Sequence, residues 1–306
     1  MVKPVDMAVE LGPLSLPNPV MLASGTCSYG IEMEPWGDLS GIGAIVVKGL
    51  SLLPSDGNPP PRIVETPSGM LNAIGLENIG VQAFLREKLP LLREKGARVI
   101  ANIYGETRGE YSRLAGILDG AEGLCAMEVN ISCPNVKKGG LLFGQDARET
   151  DRLVSAVRRA TGKPLLVKLT PNVTDVAEIA RAAEGAGADA LTLINTLQGM
   201  AVDVECRRPS LANVMGGLSG PAIRPVAVRV LWQVRQAVDI PLVGVGGIFT
   251  AGDALEFIIA GASAVQLGTV NFVSPDRWAE VLDGIAAYLG RHRLPDIASL
   301  VGSLET

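Results

Sequence analysis

Val243-Gly244-Val245-Gly246-Gly247-Ile248 is a short apolar strand that runs into a pair of glycines. Thr250, a residue type favoured at helix N-caps, then begins a helical segment. Pro241 precedes the strand, where its missing N–H costs the hydrogen-bond ladder little. The strand is continuously apolar instead of alternating, which is typical of a strand that is buried on both faces. The stretch therefore predicts one βα unit of a parallel α/β fold.

The same unit recurs along the chain. We predict strands at Val20–Ala23, Ala44–Val47, Val99–Ala101, Ala126–Val129, Leu165–Val167, Ala190–Ile194, Leu242–Val245 and Ala264–Leu267. The clearest predicted helices are Val81–Lys95, Arg148–Thr161, Val173–Ala186, Arg224–Val238 and Ala251–Ala260, and Asp276 is expected to cap a later one. Eight regular units favour closure into a (β/α)8 TIM barrel with a parallel eight-stranded core, as one domain over residues 1–306. A doubly wound open sheet is the alternative.

The composition argues against several classes of protein. A formal net charge of -5 disfavours a nucleic-acid binder, which normally has a basic excess. The apolar runs are too short for a membrane span and the N-terminus does not resemble a signal peptide, so we expect a cytoplasmic protein. The four cysteines form no CxxC pair, so neither a zinc site nor an iron–sulphur cluster is expected on this chain, and no metal. They are Cys27, Cys125, Cys133 and Cys206.

Polar and glycine residues follow the predicted strands. In chain order these are Ser24-Gly25, Lys48-Gly49, Asn102, Asn130, Lys168, Asn195-Thr196, Gly246-Gly247 and Gly268-Thr269. Active sites of parallel barrels form at the carboxyl ends of the strands, from residues placed in this way. Any one of them could be an ordinary turn residue, but the whole set predicts a site.

The glycines after the last two strands indicate what the site binds. Backbone N–H groups exposed by glycine, together with a helix N-terminus, form an anion pocket, and phosphate sites are frequent at this place in barrels. The strand ends carry no acidic residue, and Glu128, inside the fourth strand, is interpreted as structural. We therefore favour a flavin phosphate, with Lys168 near the N1/O2 edge of the flavin. Pairing of Lys168 with a neighbouring strand-end group is an equal alternative.

A cysteine is the candidate for proton chemistry. The stretch Met127-Glu128-Val129-Asn130-Ile131-Ser132-Cys133-Pro134-Asn135 ends the fourth strand and presents Cys133 in a loop. The chain has one histidine, His292, which lies between two arginines near the C-terminus. Without a histidine in the predicted site, a thiol is the best remaining base. A small buried side chain is the plainer interpretation of Cys133.

Several segments together resemble the class 1 dihydroorotate dehydrogenases, in family order over nearly the whole chain. They are Ala23-Ser24-Gly25-Thr26, Val47-Lys48-Gly49-Leu50, Asn72-Ala73-Ile74-Gly75-Leu76-Glu77-Asn78-Ile79-Gly80, Asn130-Ile131-Ser132-Cys133-Pro134-Asn135, Val167-Lys168-Leu169-Thr170-Pro171, Asn195-Thr196, Gly216-Gly217-Leu218-Ser219-Gly220 and the two glycine turns. The departure from the pattern is Cys27, where an aromatic residue is expected.

The resemblance implies an FMN-dependent oxidation of dihydroorotate to orotate in pyrimidine synthesis. The residues that it implies for FMN are Ser24, Lys48, Gly49, Asn102, Asn130, Lys168, Ile194, Gly220, Gly246, Gly247, Gly268 and Thr269. Those that it implies for the substrate are Lys48, Asn72, Ala73, Ile74, Gly75, Leu76, Asn130, Asn195 and Thr196. Cys133 would be the general base, and the glycine-rich segment 136–144 would be a lid or an ordinary surface loop.

Two segments resemble the NAD-linked B type more than the fumarate-linked A type. They are Asn135-Val136-Lys137-Lys138-Gly139-Gly140 and Pro59-Pro60-Pro61-Arg62. This resemblance implies a partner subunit that carries FAD and an iron–sulphur cluster, around a homodimer of this chain within a heterotetramer. The A type stays open as an alternative. So do another FMN barrel reductase of pyrimidines and a non-redox, phosphate-binding barrel isomerase.

Overall fold

Eight parallel strands close into a barrel in the computed structural model, which describes residues 5–132 and 143–305. The strands, numbered here from first to eighth in chain order, are Val20–Leu22, Ala44–Val46, Val99–Ile103, Leu124–Asn130, Leu165–Lys168, Ala190–Leu193, Leu242–Val245 and Ala262–Leu267. Each strand pairs with the next in sequence, and the eighth pairs with the first. The predicted (β/α)8 TIM barrel is confirmed, and the open doubly wound sheet is wrong.

The register of the strands determines which side chains meet at the carboxyl end of the barrel. Asn130 on the fourth strand is opposite Lys168 on the fifth, and Lys168 is opposite Thr192 on the sixth. Asn102 on the third strand is opposite Glu128 on the fourth. Residues far apart in sequence therefore become neighbours around one ring.

The helices outside the barrel follow the prediction from the fourth connection onward, and the helix of the third connection, the first in the next sentence, was not predicted. They are Arg108–Asp119, Ala147–Arg158, Val176–Gly185, Arg224–Arg235, Ala251–Ala260 and Arg277–His292. The helical segment before the third strand is interrupted: Val81–Ala83 and Leu89–Glu94 are α-helical, and Phe84–Lys88 between them is a π-helix. The first connection differs from a regular βα unit, because it contains only the 3₁₀ turns Ile31–Trp36 and Leu39–Gly41.

Both predicted N-cap residues occupy the N-cap positions of their helices, but only Thr250 caps its helix through its side chain. Thr250 accepts a hydrogen bond from the N–H of Asp253, and the Asp253 carboxylate accepts one from the N–H of Thr250, which together form a capping box. Asp276 precedes its helix but makes no side-chain capping bond. Its carboxylate instead accepts a hydrogen bond of 2.7 Å from the Ser274 hydroxyl.

A four-stranded antiparallel sheet lies at the carboxyl end of the barrel. Its strands, in spatial order, are Leu197–Met200, Met215–Ser219, Gly69–Asn72 and Ile63–Thr66. They come from the connections after the second and sixth barrel strands. Pairing of Asn72 with Gly217 joins these two connections into one wall over the barrel.

The barrel core is aliphatic, and the hairpin of Val9–Leu11 and Leu14–Leu16 adds side chains such as Leu11 and Leu16 to it. Among the polar side chains of the described core, Glu128, Thr150, Thr192 and Gln266 have no exposed surface at all. Within the described part of the chain, no helix is long and apolar enough to cross a membrane.

Candidate active site

A cavity of about 590 Å³ opens at the carboxyl ends of the barrel strands. All of the described residues that were predicted for the cofactor or the substrate line this cavity. They are Ser24, Lys48, Gly49, Asn72, Ala73, Ile74, Gly75, Leu76, Asn102, Asn130, Lys168, Ile194, Asn195, Thr196, Gly220, Gly246, Gly247, Gly268 and Thr269. Their individual roles stay predictions. Cys133 and most of segment 136–144 lie outside the described residues.

Lys168 brings a positive charge to the bottom of the cavity. Its residue is 6% exposed, and its Nζ lies 3.4 Å from the Ser24 hydroxyl oxygen. The same Nζ lies 3.9 Å from Glu128 Oε1. The ammonium group therefore has one neutral and one acidic neighbour. Both interpretations of Lys168 have support: it borders the cavity, and it also pairs with a group inside the barrel.

Glu128 was interpreted as structural from the sequence, but in the structure it binds a residue that lines the cavity. Its side chain is fully buried, and it accepts hydrogen bonds from Asn102 Nδ2 at 2.7 Å, Thr192 Oγ1 at 2.9 Å and Gln266 Nε2 at 2.8 Å. A signal was present in the sequence, because residues two apart in a strand point to the same face and Asn130 had been assigned to the site.

The second lysine of the cavity, Lys48, shares an acidic neighbour with an arginine. Its Nζ lies 3.7 Å from Glu77 Oε2, and Arg62 contacts the same carboxylate oxygen at 2.5 Å. Arg62 also donates to the backbone carbonyls of Asp56 and Asn58. Since Arg62 is the closer partner of Glu77, the positive charge of Lys48 is only partly neutralised and can attract an anion in the cavity.

The loop Asn72–Leu76 presents backbone donors to the cavity. Asn58 binds the back of this loop: its N–H donates to the carbonyl of Ile74 and its Nδ2 to that of Ala73, both at 2.9 Å. No hydrogen bond among the described residues uses the N–H groups of Ile74, Gly75 or Leu76. These unpaired donors, beside Lys48, suit a carboxylate.

Asn78 ties the end of that loop to the barrel and was not predicted. Its Nδ2, with two N–H groups, lies within hydrogen-bond distance of Ser51 Oγ, the carbonyl of Leu76 and Tyr104 Oη, at 2.8, 3.0 and 2.7 Å. Its Oδ1 accepts from the N–H groups of Ser51 and Gly80. Tyr104 also donates to the carbonyl of Leu76 at 2.8 Å. Asn78 thus holds the loop in one conformation.

Amide side chains line the opposite wall. Asn130 Oδ1 accepts from the N–H of Ser132, and Asn195 Oδ1 accepts from the N–H of Thr196. Asn172, which was not predicted, also lines the cavity and donates through Nδ2 to the carbonyl of Thr196 at 2.9 Å. These bonds leave the Nδ2 groups of Asn130 and Asn195 as donors toward the cavity.

The glycine turns after the last two strands provide the anion pocket. Gly247 has a φ of +77°, and a Cβ there would lie 2.8 Å from the carbonyl oxygen of Gly220. Within the described residues, the N–H groups of Gly247 and Gly268 have no protein acceptor. The N–H groups of Phe249 and Thr250 at the following helix already donate to Asp253. The turns themselves therefore fit a phosphate, and the start of that helix does not.

The three described cysteines are not candidates for the base that was predicted at Cys133. Burial raises the pKa of Cys27 to about 12, and its thiol donates to the carbonyls of Ala23 and Val46. Burial likewise raises the pKa of Cys125 to about 11. Cys206 is exposed in the segment between the added strands. Among the described residues, no group of histidine, cysteine, aspartate and glutamate could hold a metal ion.

Comparison with known proteins shows the family of this chain. The family model described as dihydroorotate dehydrogenase matches residues 6–289. Proteins named dihydroorotate dehydrogenase B (NAD(+)), catalytic subunit, are similar over their whole length. The one from Trichlorobacter lovleyi is 58% identical over 299 residues, with 98% of each chain covered. Those from Solidesulfovibrio magneticus and Geotalea daltonii are 58% and 56% identical over 305 residues, covering 98% and 100% of this chain and 99% and 100% of their own. With the barrel and the cavity described above, these matches establish that the chain belongs to the dihydroorotate dehydrogenase family.

Proposed function

We propose that this chain oxidises dihydroorotate to orotate in pyrimidine biosynthesis, as the catalytic subunit of an NAD-linked enzyme. One observation carries the proposal. A single cavity brings together an anion pocket of glycine N–H groups, Lys168, and a second set of donors beside Lys48. Two separate places for anions suit a phosphate-bearing cofactor and a substrate with its own carboxylate.

The residues of the barrel end fit FMN. Gly247 and Gly268 offer unpaired N–H groups for its phosphate, and Lys168 and Asn102 offer a cation and an amide for its ring system. FMN, when bound, supplies the acceptor for a hydride. Lys168 stabilises negative charge on the ring by electrostatic attraction.

The loop Asn72–Leu76 and the amide wall fit the substrate. Dihydroorotate has alternating N–H and C=O groups, which asparagine side chains such as Asn130 and Asn195 can match. Lys48 and the free N–H groups of the loop bind its carboxylate. Cys133 as thiolate would take the proton from C5, and bound FMN would supply the acceptor for the hydride that leaves C6, so that the product gains a C5=C6 double bond.

The electrons continue to NAD through a partner subunit. We propose that this partner carries FAD and an iron–sulphur cluster and binds a homodimer of this chain, as a heterotetramer in the cytoplasm. Support comes from the name that the relatives share, which includes NAD and ends in catalytic subunit. FMN alone stays on this chain.

The test is turnover by the purified chain. It should be yellow, or gain flavin absorbance with FMN, and should reduce a redox dye with dihydroorotate but not with dihydrouracil. NAD reduction should require the co-expressed partner. Cys133→Ser should keep FMN and orotate binding and lose most turnover at neutral pH.

Three results would overturn parts of this proposal. Efficient fumarate reduction by the chain alone would indicate the A type. Turnover of dihydrouracil in place of dihydroorotate would indicate another pyrimidine reductase. A colourless protein that binds no FMN would indicate a non-redox isomerase.

A further inference from the structure

A carboxylate is buried directly behind two residues of the cavity. Glu128 has no exposed surface and does not border the cavity itself. It accepts hydrogen bonds from Asn102, Thr192 and Gln266, and Lys168 Nζ lies 3.9 Å from its Oε1. A buried charge is costly unless it is paired and hydrogen-bonded, and these four partners satisfy it.

Packing does not explain this charge. Apolar side chains of similar volume can replace a buried ion pair with little loss of stability, or even a gain. Apart from Glu128 and its polar partners, the core around the barrel strands is mainly aliphatic, so a polar group at this point is an exception that packing does not require. The position of Glu128 behind the cavity therefore suggests that it acts on what the cavity binds.

Two of the four partners connect Glu128 to the cavity. Lys168 and Asn102 border it, while Thr192 and Gln266 do not. Because Asn102 donates through Nδ2 to Glu128, its Oδ1 is left as an acceptor. That oxygen faces Gly49, a lining residue whose Cβ, if present, would lie 3.0 Å from it. Rotating the amide would bring Oδ1 against the carboxylate, which is unfavourable.

We propose that Glu128 is a positioning residue that sets the charge experienced by FMN in the cavity. It offsets part of the positive charge of Lys168, and it holds Asn102 with its oxygen toward the cavity. This inference rests on the proposed function, because it requires FMN to bind here. Removing the negative charge leaves Lys168 uncompensated, so reduced FMN, which carries more negative charge, is bound more tightly relative to oxidised FMN.

The experiment measures the midpoint potential of FMN on the intact chain, by reductive titration against a reference dye. Glu128→Gln removes the charge and keeps the shape. We expect the ratio of affinities for reduced and oxidised FMN to rise about tenfold, which for a two-electron couple is about 30 mV in the positive direction. Thr192→Val is the matched control, because it removes a hydrogen bond to the same carboxylate without changing any charge.

A further pair of variants tests the sign. Lys168→Gln should shift the potential in the negative direction, and Glu128→Gln combined with Lys168→Gln should return it toward the wild-type value. If Glu128→Gln does not fold, as judged by circular dichroism, Glu128→Asp is the substitute. Its side chain is one methylene shorter, so the negative charge lies farther from Lys168 and the midpoint potential should show a smaller positive shift.

The outcomes separate this inference from the function on which it rests. A wild-type chain that binds no FMN refutes both. A wild-type chain that binds FMN, with an unchanged or lower potential in a folded Glu128 variant, refutes only the role of Glu128. An equal shift in Thr192→Val would also refute it, because the effect would then be one of packing.

Discussion

Replacing Asn78 with alanine should loosen the proposed substrate loop while leaving the cofactor end of the cavity intact. The residue is 4% exposed, and its side chain has five hydrogen-bond contacts with four residues, Ser51, Leu76, Gly80 and Tyr104. A neutral hydrogen bond contributes about 1 kcal/mol to stability on average. We expect Asn78→Ala to lower the free energy of unfolding by about 3 kcal/mol. This is less than the sum over five contacts, because water can enter the space and satisfy some of the freed groups.

Part of that loss should appear as weaker substrate binding. If the loop Asn72–Leu76 is ordered only part of the time, the free energy needed to order it is subtracted from binding. A cost of about 1.4 kcal/mol raises KM for dihydroorotate about tenfold. Urea unfolding, KM and FMN affinity measured on the same preparation separate the effects, and FMN affinity should not change.

Asn18 offers a matched control for Asn78. It is a buried asparagine that donates to the carbonyl of Gly41 and accepts from the N–H of Val20, and it does not border the cavity. Asn18→Ala should lower the free energy of unfolding by about 2 kcal/mol and leave KM unchanged. If Asn78→Ala leaves KM unchanged, or Asn18→Ala raises it equally, the loop-anchoring argument is refuted.

Three other predictions concern the base, the anion pocket and a buried thiol. Turnover should rise with pH through an ionisation that Cys133→Ser abolishes, because the thiolate and not the thiol is the base; a profile unchanged in that variant would contradict a role for the thiol. Gly247→Ala, at a φ of +77°, should weaken FMN binding in fluorescence titrations, whereas Gly252→Ala should not, because it is helical and its added Cβ would make only an ordinary contact of 3.6 Å with Thr250; equal loss in both would contradict the pocket. Cys27 is protonated in the folded chain up to its raised pKa of about 12 but titrates near 9.0 when unfolded, so its stabilising contribution is present below pH 9.0 and is lost as the pH rises toward about 12. Between pH 9.0 and about 12, the free energy of unfolding of Cys27→Ala, measured with urea, should therefore fall less than that of the wild type. An equal fall in both proteins would contradict this. On the folded wild type, a thiol reagent should modify exposed Cys206 well before Cys27.

The sequence predicted the barrel well because its strands are continuously apolar and end in polar or glycine residues. It predicted the added sheet poorly, since that sheet forms between Asn72 and Gly217, which are 145 positions apart. The helix Arg108–Asp119 was missed because two glycines and several charges obscure its apolar period. Its capping signal, Thr107 followed by Glu110, was nevertheless present, and the structure shows the hydrogen bond between them.

The interpretation of Glu128 shows where local reasoning stops. The acid was interpreted as structural because it lies inside a strand and not after one. Yet the alternation of side chains puts Glu128 on the same face as Asn130, one layer deeper in the barrel. The register then gives it Asn102 as a neighbour on one side, and Lys168 approaches it from the other. A residue behind a site can thus be found from the sequence once the strand and one lining residue are known. Its charged partner, Lys168, is identified only when the closed barrel brings the two side chains together.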